Sequence, residues 1–435
     1  MTTLAEVRLW GRRIAAVSLE DGEQFANFQY DPTFVDSGIE VSPLVMPLHS
    51  TVYSFPALPL ETFHGLPGLL ADSLPDRFGH ALIDAWLATQ GRTPADFNAV
   101  ERLCYVGSRG MGALEFVPLL GPDPRNSTRL EVDTLVALAS EVLSNRNALS
   151  GSLASNSRHE TLDDILKVGT SAGGARAKAI IAWNPDTNEV RSGQVPTSEG
   201  FSYWLLKFDG VHGNRDKELE DPRGYTVIEY AYSLMASAAG IEMEECRLLD
   251  EGGRRHFMTR RFDRTEDGAR LHMQTLGALA HLDYNSPGAH SYEQAFDVIR
   301  RLSLSMQELE QQFRRMLFNV VARNQDDHVK NIAFLMDKGG NWSLSPAFDV
   351  TYAYNPDGLW TARHQMAING KQDGFRRSDF RACEKSAGLK RGRADALLDE
   401  VREVVSNWRS YAAEAGVSGQ WMDAVEGGLR LEFPD

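Results

Sequence analysis

Three polar residues in the carboxyl-terminal half of the chain have the spacing that phosphoryl transfer requires. Asp326 is followed five residues later by the carboxamide of Asn331, and a second carboxylate, Asp349, lies further along. In a kinase catalytic loop, the first carboxylate accepts the proton of the attacking hydroxyl. The amide and the second carboxylate hold Mg²⁺ on the phosphates. We therefore predict ATP-dependent phosphoryl transfer, with Asp326 as the catalytic residue and Asn331 and Asp349 as metal ligands.

The sequence around these residues predicts a loop between a helix and a hairpin. Apolar residues recur at helical spacing from residue 306 to about residue 324, which indicates an amphipathic helix. Asp326 and Asn331 would point in different directions on a continuing helix, but they can converge in an extended loop. Residues 332–345 then have the pattern of a β-hairpin. The alternative is an ordinary solvated turn, since Asp and Asn favour turns.

A loop of small residues precedes these elements along the chain. It occupies residues 168–178, between two short apolar segments, and its glycines leave backbone N–H groups open to phosphate oxygens. The loop is not a Walker A motif, because Ala175 stands where that motif requires lysine. It is a candidate phosphate loop, and an ordinary flexible hairpin is the alternative.

A lysine follows on a predicted strand. Residues 201–208 have the pattern of a strand that places Lys207 among bulky apolar neighbours. A lysine in such a position can bind the α- and β-phosphates of ATP as a point charge, with Glu229 on the next helix as an ion-pair partner. The alternatives are a lysine that extends into solvent at the strand end and a surface glutamate.

Taken together, these motifs resemble those of the HipA family, the serine/threonine kinase toxins of bacterial toxin–antitoxin modules. The resemblance covers nearly the whole chain, and residues 326–331 and 345–349 are its most specific part. The matching segments are 70–76 and 106–118 in the amino-terminal region, 171–178 as phosphate loop, Lys207 as ATP lysine, 261–264 as adenine-side strand, 326–331 and 345–349 as catalytic and metal motifs, and 364–380 in the helical lobe.

The resemblance implies a nucleotide site for ATP and Mg²⁺ and an inhibitory modification. Asp326 is the implied catalytic base, Asn331 and Asp349 are the implied metal ligands, and autophosphorylation of Ser171 is implied to inactivate the kinase. The residues implied to contact the nucleotide are Gly173, Gly174, Ala175, Arg176, Ala177, Lys178, Lys207, Arg260, Arg261, Phe262, His328, Lys330, Asn331 and Asp349.

The expected fold is α+β, a two-lobed kinase-like fold with a β-rich N-terminal region and an all-helical C-terminal lobe. We predict a HipA N-terminal-like α+β subdomain over residues 1–120 and a sheet subdomain with the phosphate loop and ATP lysine over 121–213. A helical catalytic lobe is predicted over 214–435. A Gly-Pro-Asp-Pro break and a charged connector suggest the two boundaries.

Composition argues against several other classes of protein. With 45 basic and 60 acidic residues, the net charge of −15 argues against independent binding to nucleic acid. A basic stretch at residues 376–393 is a local exception, for which a helix face balanced by acidic residues is the alternative. The three cysteines are too scattered for a disulfide framework or a zinc cluster. Without a signal peptide or a membrane-spanning apolar run, a cytoplasmic location is expected.

The finer function follows from the resemblance. It implies a protein kinase toxin that phosphorylates serine or threonine on a protein substrate, such as an aminoacyl-tRNA synthetase or another translation factor. It also implies a HipB-like helix-turn-helix antitoxin as partner. The chain would then associate with DNA only indirectly, through that antitoxin. Two alternatives remain open: a small-molecule phosphotransferase, and a catalytically weak kinase retained as an antitoxin-bound co-repressor.

Overall fold

The chain forms two compact units. The computed structural model describes residues 2–121, 130–144, 165–166, 168–169, 176–194, 200–211, 215–216, 219–220 and 223–435. Unit 1 takes in the described residues up to Arg223 together with Arg247–Gln274 and Met336–Gly340. Unit 2 comprises Gly224–Cys246, Thr275–Leu335 and Asn341–Asp435.

Unit 1 begins with an antiparallel sheet of five strands. In spatial order the strands are Val52–Tyr53, Asn27–Tyr30, Arg12–Leu19, Thr3–Leu9 and Leu114–Val117. Ala5, Val7 and Leu9 are buried because alternate residues of a strand point to the same side. The helices that accompany this sheet are Pro32–Val35, Leu60–Phe63, Gly68–Ala71, Arg77–Thr89 and Ala99–Val106, with a 3₁₀ turn at Pro94–Asp96.

A second five-stranded sheet in unit 1 carries the predicted ATP lysine. Its strands, in spatial order, are Cys246–Glu251, Arg254–Arg260, Ser202–Lys207, Lys178–Asn184 and Glu189–Ser192. The helices Arg77–Thr89 and Val132–Ser144 share its core, which includes Leu82, Leu135 and Leu206. The remaining strands assigned in this part of the chain are Arg215–Asp216, Leu219–Glu220 and His272–Thr275.

Unit 2 is predominantly helical. Its helices are Tyr225–Ala238, Leu276–Ala280, Tyr292–Arg301, Met306–Val321, Arg377–Ala387, Arg393–Ser406, Trp408–Ala415 and Gly419–Gly428. Short strands accompany them at His290–Ser291, Ala333–Met336, Trp342–Leu344 and Met366–Ala367, so this part of the chain is not entirely helical.

The central helix of unit 2 is the one predicted just before the candidate catalytic loop. Met306–Val321 is capped by Ser305, whose side chain accepts from the backbone N–H of Glu308, and Glu308 bonds back to complete a capping box. Leu309, Phe313 and Leu317 form its buried stripe. The helix packs against Tyr292–Arg301 and Arg393–Ser406. Packing against these two helices therefore fixes the end of the helix from which the loop begins.

The two strands after that loop also occur as predicted. Ala333–Met336 and Trp342–Leu344 are neighbours in one sheet, and the turn between them closes with a 3.1 Å bond from Gly340 N to Asp337 O. None of the helices within the described residues is long and apolar enough to cross a membrane.

Candidate active site

The side chains of the candidate catalytic loop alternate between buried and accessible. The buried ones are Gln325, Asp327 and Val329. The partly exposed ones are Asp326, His328 and Lys330. Successive side chains of an extended chain point to opposite sides, which explains this alternation. One face of the loop therefore presents the predicted base together with two residues predicted to contact the nucleotide.

The side chain of Asn331 closes this loop. Its Nδ2 donates to the backbone oxygen of Asp326 over 2.8 Å, and its backbone N–H donates to the oxygen of His328 over 2.9 Å. Because the amide nitrogen is used in this way, Oδ1 is the side-chain atom suited to a hard cation. Asn331 thus has both a structural role in the loop and the chemistry of a metal ligand.

A buried carboxylate, Asp327, anchors the loop to the rest of unit 2. Its Oδ2 accepts from the hydroxyl of Tyr292 (2.7 Å) and from Nδ1 of His364 (2.8 Å), and its Oδ1 accepts from the backbone N–H of Gln365 (2.8 Å). The side chain of Asp327 is 1% exposed and that of His364 is 0% exposed. Burial, together with the charge of Asp327, raises the pKa of Tyr292 well above its ordinary value, so the hydroxyl stays protonated and donates.

The role of Asp327 does not follow from the sequence. The available signals were its place beside Asp326 and the family-like segment that begins at His364. Neither signal identifies the partner, since Tyr292 and His364 are 35 and 37 residues away from Asp327.

We expect replacement of Asp327 by Ala to lower the free energy of unfolding by about 3 kcal/mol, because three buried donors lose their acceptor. Urea unfolding of the purified variant measures this change. The matched control is Asp357→Ala, which removes an exposed carboxylate of the same unit and should change stability by less than about 0.5 kcal/mol. Equal stability of the two variants would contradict the anchoring role.

The segment that carries Asp349 is attached to both ends of the catalytic loop. Ser345 N donates to Ala333 O, and Ala353 N donates to Arg323 O, each over 3.0 Å. Asp349 lies between these two attachments and is partly exposed. Its backbone has φ of 57°, in the left-handed region that residues other than glycine rarely adopt. Such strain is concentrated at functional sites, which agrees with a role as metal ligand.

Two lysines lie side by side on the second sheet of unit 1. Lys178 and Lys207 are directly opposite each other in adjacent antiparallel strands, so their side chains share one face. Both are buried, at 2% and 6% exposure. Lys207 therefore does not extend into solvent as the alternative interpretation supposed. Two neighbouring ammonium groups favour a polyanionic ligand such as a nucleotide phosphate chain.

Asp76 holds one of these lysines in place. Lys178 Nζ lies 3.3 Å from Asp76 Oδ2, and both side chains are almost fully buried. The other carboxylate oxygen accepts from the backbone N–H of Gly79 over 2.7 Å, where Asp76 caps the helix Arg77–Thr89. Asp76 belongs to the family-like segment 70–76, but the sequence gives no sign of this ion pair.

Arg261 is committed to a buried ion pair in unit 1. Its Nε and Nη2 donate to Oδ1 and Oδ2 of Asp263 over 2.8 and 2.6 Å. Burial by itself raises the pKa of Asp263, but attraction to Arg261 and Arg264 outweighs it and holds this pKa well below its usual range. Arg260 and Phe262 stay partly exposed, so these two are better placed than the guanidinium of Arg261 to contact a ligand.

Asp263 also connects two of the family-like segments. The backbone N–H of Gly112 donates to its Oδ2 over 2.6 Å. Gly112 has φ of 76°, and a Cβ there would lie 3.0 Å from the backbone nitrogen of Met273, so both the conformation and the space favour glycine. The segments 106–118 and 261–264 are thus held together by one buried carboxylate.

The family-like phosphate loop, residues 171–178, is described only from residue 176 onward. Ser171, Gly173, Gly174 and Ala175 lie outside the described residues. Of the remaining loop residues, Arg176 is partly exposed, whereas Ala177 and Lys178 are buried.

The predicted site residues therefore form two sets, one in each unit. Lys178, Lys207, Arg260, Arg261 and Phe262 belong to unit 1, and Asp326, His328, Lys330, Asn331 and Asp349 belong to unit 2. Within the part of the chain that the structure describes, there is no group of three or more His, Cys, Asp or Glu side chains arranged to hold a metal. The predicted magnesium site has one amide and one carboxylate, so its other ligands would be phosphate oxygens and water.

The structure decides between the alternatives for Glu229 and for the basic stretch at residues 376–393. Glu229 is 1% exposed, so it is not a surface glutamate. In the basic stretch, Arg377 and Arg381 both pair with Asp395, and Arg393 pairs with Glu310. These arginines are compensated by acidic residues, as the balanced-helix interpretation supposed.

Family models match most of the chain. The model of the HipA N-terminal domain matches residues 5–117, and that of the HipA-like C-terminal domain matches residues 170–408. A curated relative, "Putative kinase Y4mE" of Sinorhizobium fredii (strain NBRC 101917 / NGR234), is 28% identical over an alignment of 201 residues, and the match covers 42% of this chain. The match spans 47% of the relative, about half its length.

One solved structure shows the same fold. The Shewanella oneidensis MR-1 HipA of a complex with HipB and operator DNA has a TM-score of 0.66 over 98% of this chain and 94% of its own, at 16% identity. The Helicobacter pylori proinflammatory kinase CtkA has a TM-score of 0.33 over 52% of this chain and 88% of its own, at 11% identity, which is too weak to support an inference. The first likeness confirms the predicted α+β, two-lobed kinase-like fold.

Proposed function

The chain belongs to the HipA family, and from this premise we propose that it is an ATP- and Mg²⁺-dependent kinase that phosphorylates serine or threonine on a protein substrate. The observation that carries the proposal is the loop of unit 2. Asp326 lies on the accessible face of that loop, its backbone oxygen is bonded by Asn331, and the adjacent Asp327 anchors the loop in the core.

Each residue of the proposed site has a defined task. Asp326 orients the substrate hydroxyl and takes its proton, while that oxygen bonds to the γ-phosphorus of ATP. The bond from phosphorus to the β–γ bridging oxygen breaks, and ADP leaves with its electron pair. Asn331 and Asp349 would hold Mg²⁺, which supplies positive charge to the phosphate oxygens when bound. Lys207 would supply further positive charge, because phosphates are natural counterions of lysine, while Lys178, whose charge is balanced by Asp76, would add a hydrogen-bond donor.

The proposal extends to partners by family analogy. A HipB-like helix-turn-helix antitoxin is the proposed partner, since the solved relative was obtained with HipB and operator DNA. DNA would be reached only through that antitoxin, in keeping with a net charge of −15 and with the paired arginines of the basic stretch. A translation factor such as an aminoacyl-tRNA synthetase is the proposed substrate, and the cytoplasm the proposed location.

Incubation of the purified chain with radiolabelled ATP and a cell extract tests the proposed function. We expect a labelled protein band, growth arrest on induced expression, and loss of both in a variant that lacks the Asp326 carboxylate. Label transferred only to small molecules would favour a small-molecule phosphotransferase. Binding of ATP without turnover in the presence of Mg²⁺ would favour an antitoxin-bound co-repressor.

We expect Ser171 to be an autophosphorylation switch, although it lies outside the described residues. A phosphate there adds about −1.5 to −2 charges beside the proposed site for the phosphates of ATP. The repulsion should disfavour nucleotide binding. Intact mass and peptide mapping of the wild type and of Asp326→Asn give the test, with phosphate on Ser171 expected in the wild type alone. An unmodified Ser171 in fully active enzyme would refute the switch.

A further inference from the structure

An aromatic ring lies against the accessible face of the catalytic loop. The centroid of the Tyr284 ring is 4.7 Å from Nζ of Lys330 and 5.8 Å from the centroid of the His328 ring. His328 in turn places Nε2 3.8 Å from Oδ1 of Asp326. Tyr284 therefore contacts both side chains that share this face with the proposed base.

The backbone around Tyr284 is held firmly. Asp283 accepts from the N–H of Asn285 (2.9 Å) and from the hydroxyl of Ser286 (2.7 Å) through its carboxylate, and its backbone oxygen accepts from Nε2 of His290 (3.0 Å). Gly288 N also donates to the backbone oxygen of Gln365 over 2.8 Å, beside the anchor of Asp327. The segment that carries Tyr284 is therefore bonded to Gln365, the residue whose backbone N–H also binds Asp327 of the loop.

The contact with Lys330 orients a charge without neutralising it. Among the described residues of unit 2, no carboxylate lies within 4.0 Å of Nζ of Lys330. An aromatic face attracts a cation through its quadrupole and carries no formal charge. A carboxylate in the same place would instead cancel the charge that phosphate oxygens require. The ring therefore orients the side chain of Lys330 without adding an opposite charge beside it.

We propose that Tyr284 is a positioning residue for phosphoryl transfer: its ring holds the Lys330 ammonium on the accessible face of the loop that carries Asp326, where the ammonium contacts the phosphoryl group during its transfer. This inference rests on the proposed function. A free lysine side chain samples many rotamers, and the ring selects those in which its charge stays at the reacting centre. The effect falls on the transition state rather than on the binding of ATP.

Two substitutions at position 284 distinguish the effect of the aromatic ring from the effect of the hydroxyl. Tyr284→Leu removes the aromatic face and keeps an apolar side chain, whereas Tyr284→Phe keeps the face. For the full-length chain with Mg²⁺ and ATP, we expect Tyr284→Leu to lower kcat about tenfold with the KM for ATP nearly unchanged. Tyr284→Phe should stay within about twofold of the wild type. In a Lys330→Met background, Tyr284→Leu should have no further effect.

A second measurement does not depend on activity. Acetylation of lysines by an N-hydroxysuccinimide ester, mapped by mass spectrometry, reports how strongly the ring restrains and covers Nζ of Lys330. We expect about threefold faster labelling of Lys330 in Tyr284→Leu than in Tyr284→Phe, with the exposed Lys385 as internal reference. Tyr284→Met replaces the Leu variant if thermal unfolding shows that the latter is unstable.

The outcomes distinguish the two proposals. An active wild type with equal kcat in the Leu and Phe variants would overturn the positioning role and leave the kinase assignment intact. A wild type that neither binds nor consumes ATP would refute the proposed function. The labelling would then decide whether Tyr284 holds Lys330, because equal rates in both variants would overturn that contact as well.

Discussion

Asp326→Asn is expected to abolish phosphoryl transfer, with turnover reduced by about a thousandfold or more. The side chain of Asp326 is 37% exposed on the accessible face of the loop. The residue that anchors the loop is its neighbour, Asp327. The substitution therefore removes the base. It keeps the backbone oxygen of residue 326, to which Nδ2 of Asn331 donates. The loss acts on the transition state, so ATP affinity and thermal stability should change little.

Transfer of label from radioactive ATP to protein measures this effect, and calorimetric titration with ATP measures the affinity. The matched control is Asp357→Asn, which removes an exposed carboxylate of the same unit and should leave turnover unaltered. Labelling by Asp326→Asn at the wild-type rate would show that the base has been assigned to the wrong residue.

The second large effect is expected at Asp349. Asp349→Ala removes a hard oxygen ligand, so the gain in ATP affinity that Mg²⁺ provides should fall by about tenfold or more. Asp349→Asn supplies a graded comparison, since an amide keeps one oxygen and Asn tolerates the left-handed backbone that the structure shows at φ of 57°. We expect the Asn variant to retain more of the Mg²⁺ dependence than the Ala variant.

Titration of ATP in the presence and absence of Mg²⁺ gives the measurement for both variants. Thermal unfolding distinguishes lost ligation from lost backbone stability, because Asp349→Ala places a poorly suited residue at a positive φ. If Asp349→Ala is folded and its affinity for ATP still rises with Mg²⁺ as in the wild type, the metal is held elsewhere.

Features encoded by neighbouring residues could be predicted from the sequence. The apolar stripe of the helix Met306–Val321, and the hairpin strands Ala333–Met336 and Trp342–Leu344 that follow the loop, depend on local periodicity and turn residues. The spacing of Asp326 and Asn331 is local too, because the bond between them closes a short loop. Each of these features needs only a few consecutive residues to specify it, so a single sequence is sufficient.

Contacts between distant residues were decided by the tertiary structure alone. Asp327 anchors the loop because it binds Tyr292, which lies 35 residues earlier in the chain, and His364, which lies 37 residues later. Arg261 is predicted to contact nucleotide, and only the structure shows that its guanidinium is held by Asp263, which also accepts from Gly112, 151 residues away. Local spacing carries no information about which distant segment will supply a donor. A buried carboxylate therefore looks the same in sequence as an exposed one, and only the packing of the helices and strands assigns its role.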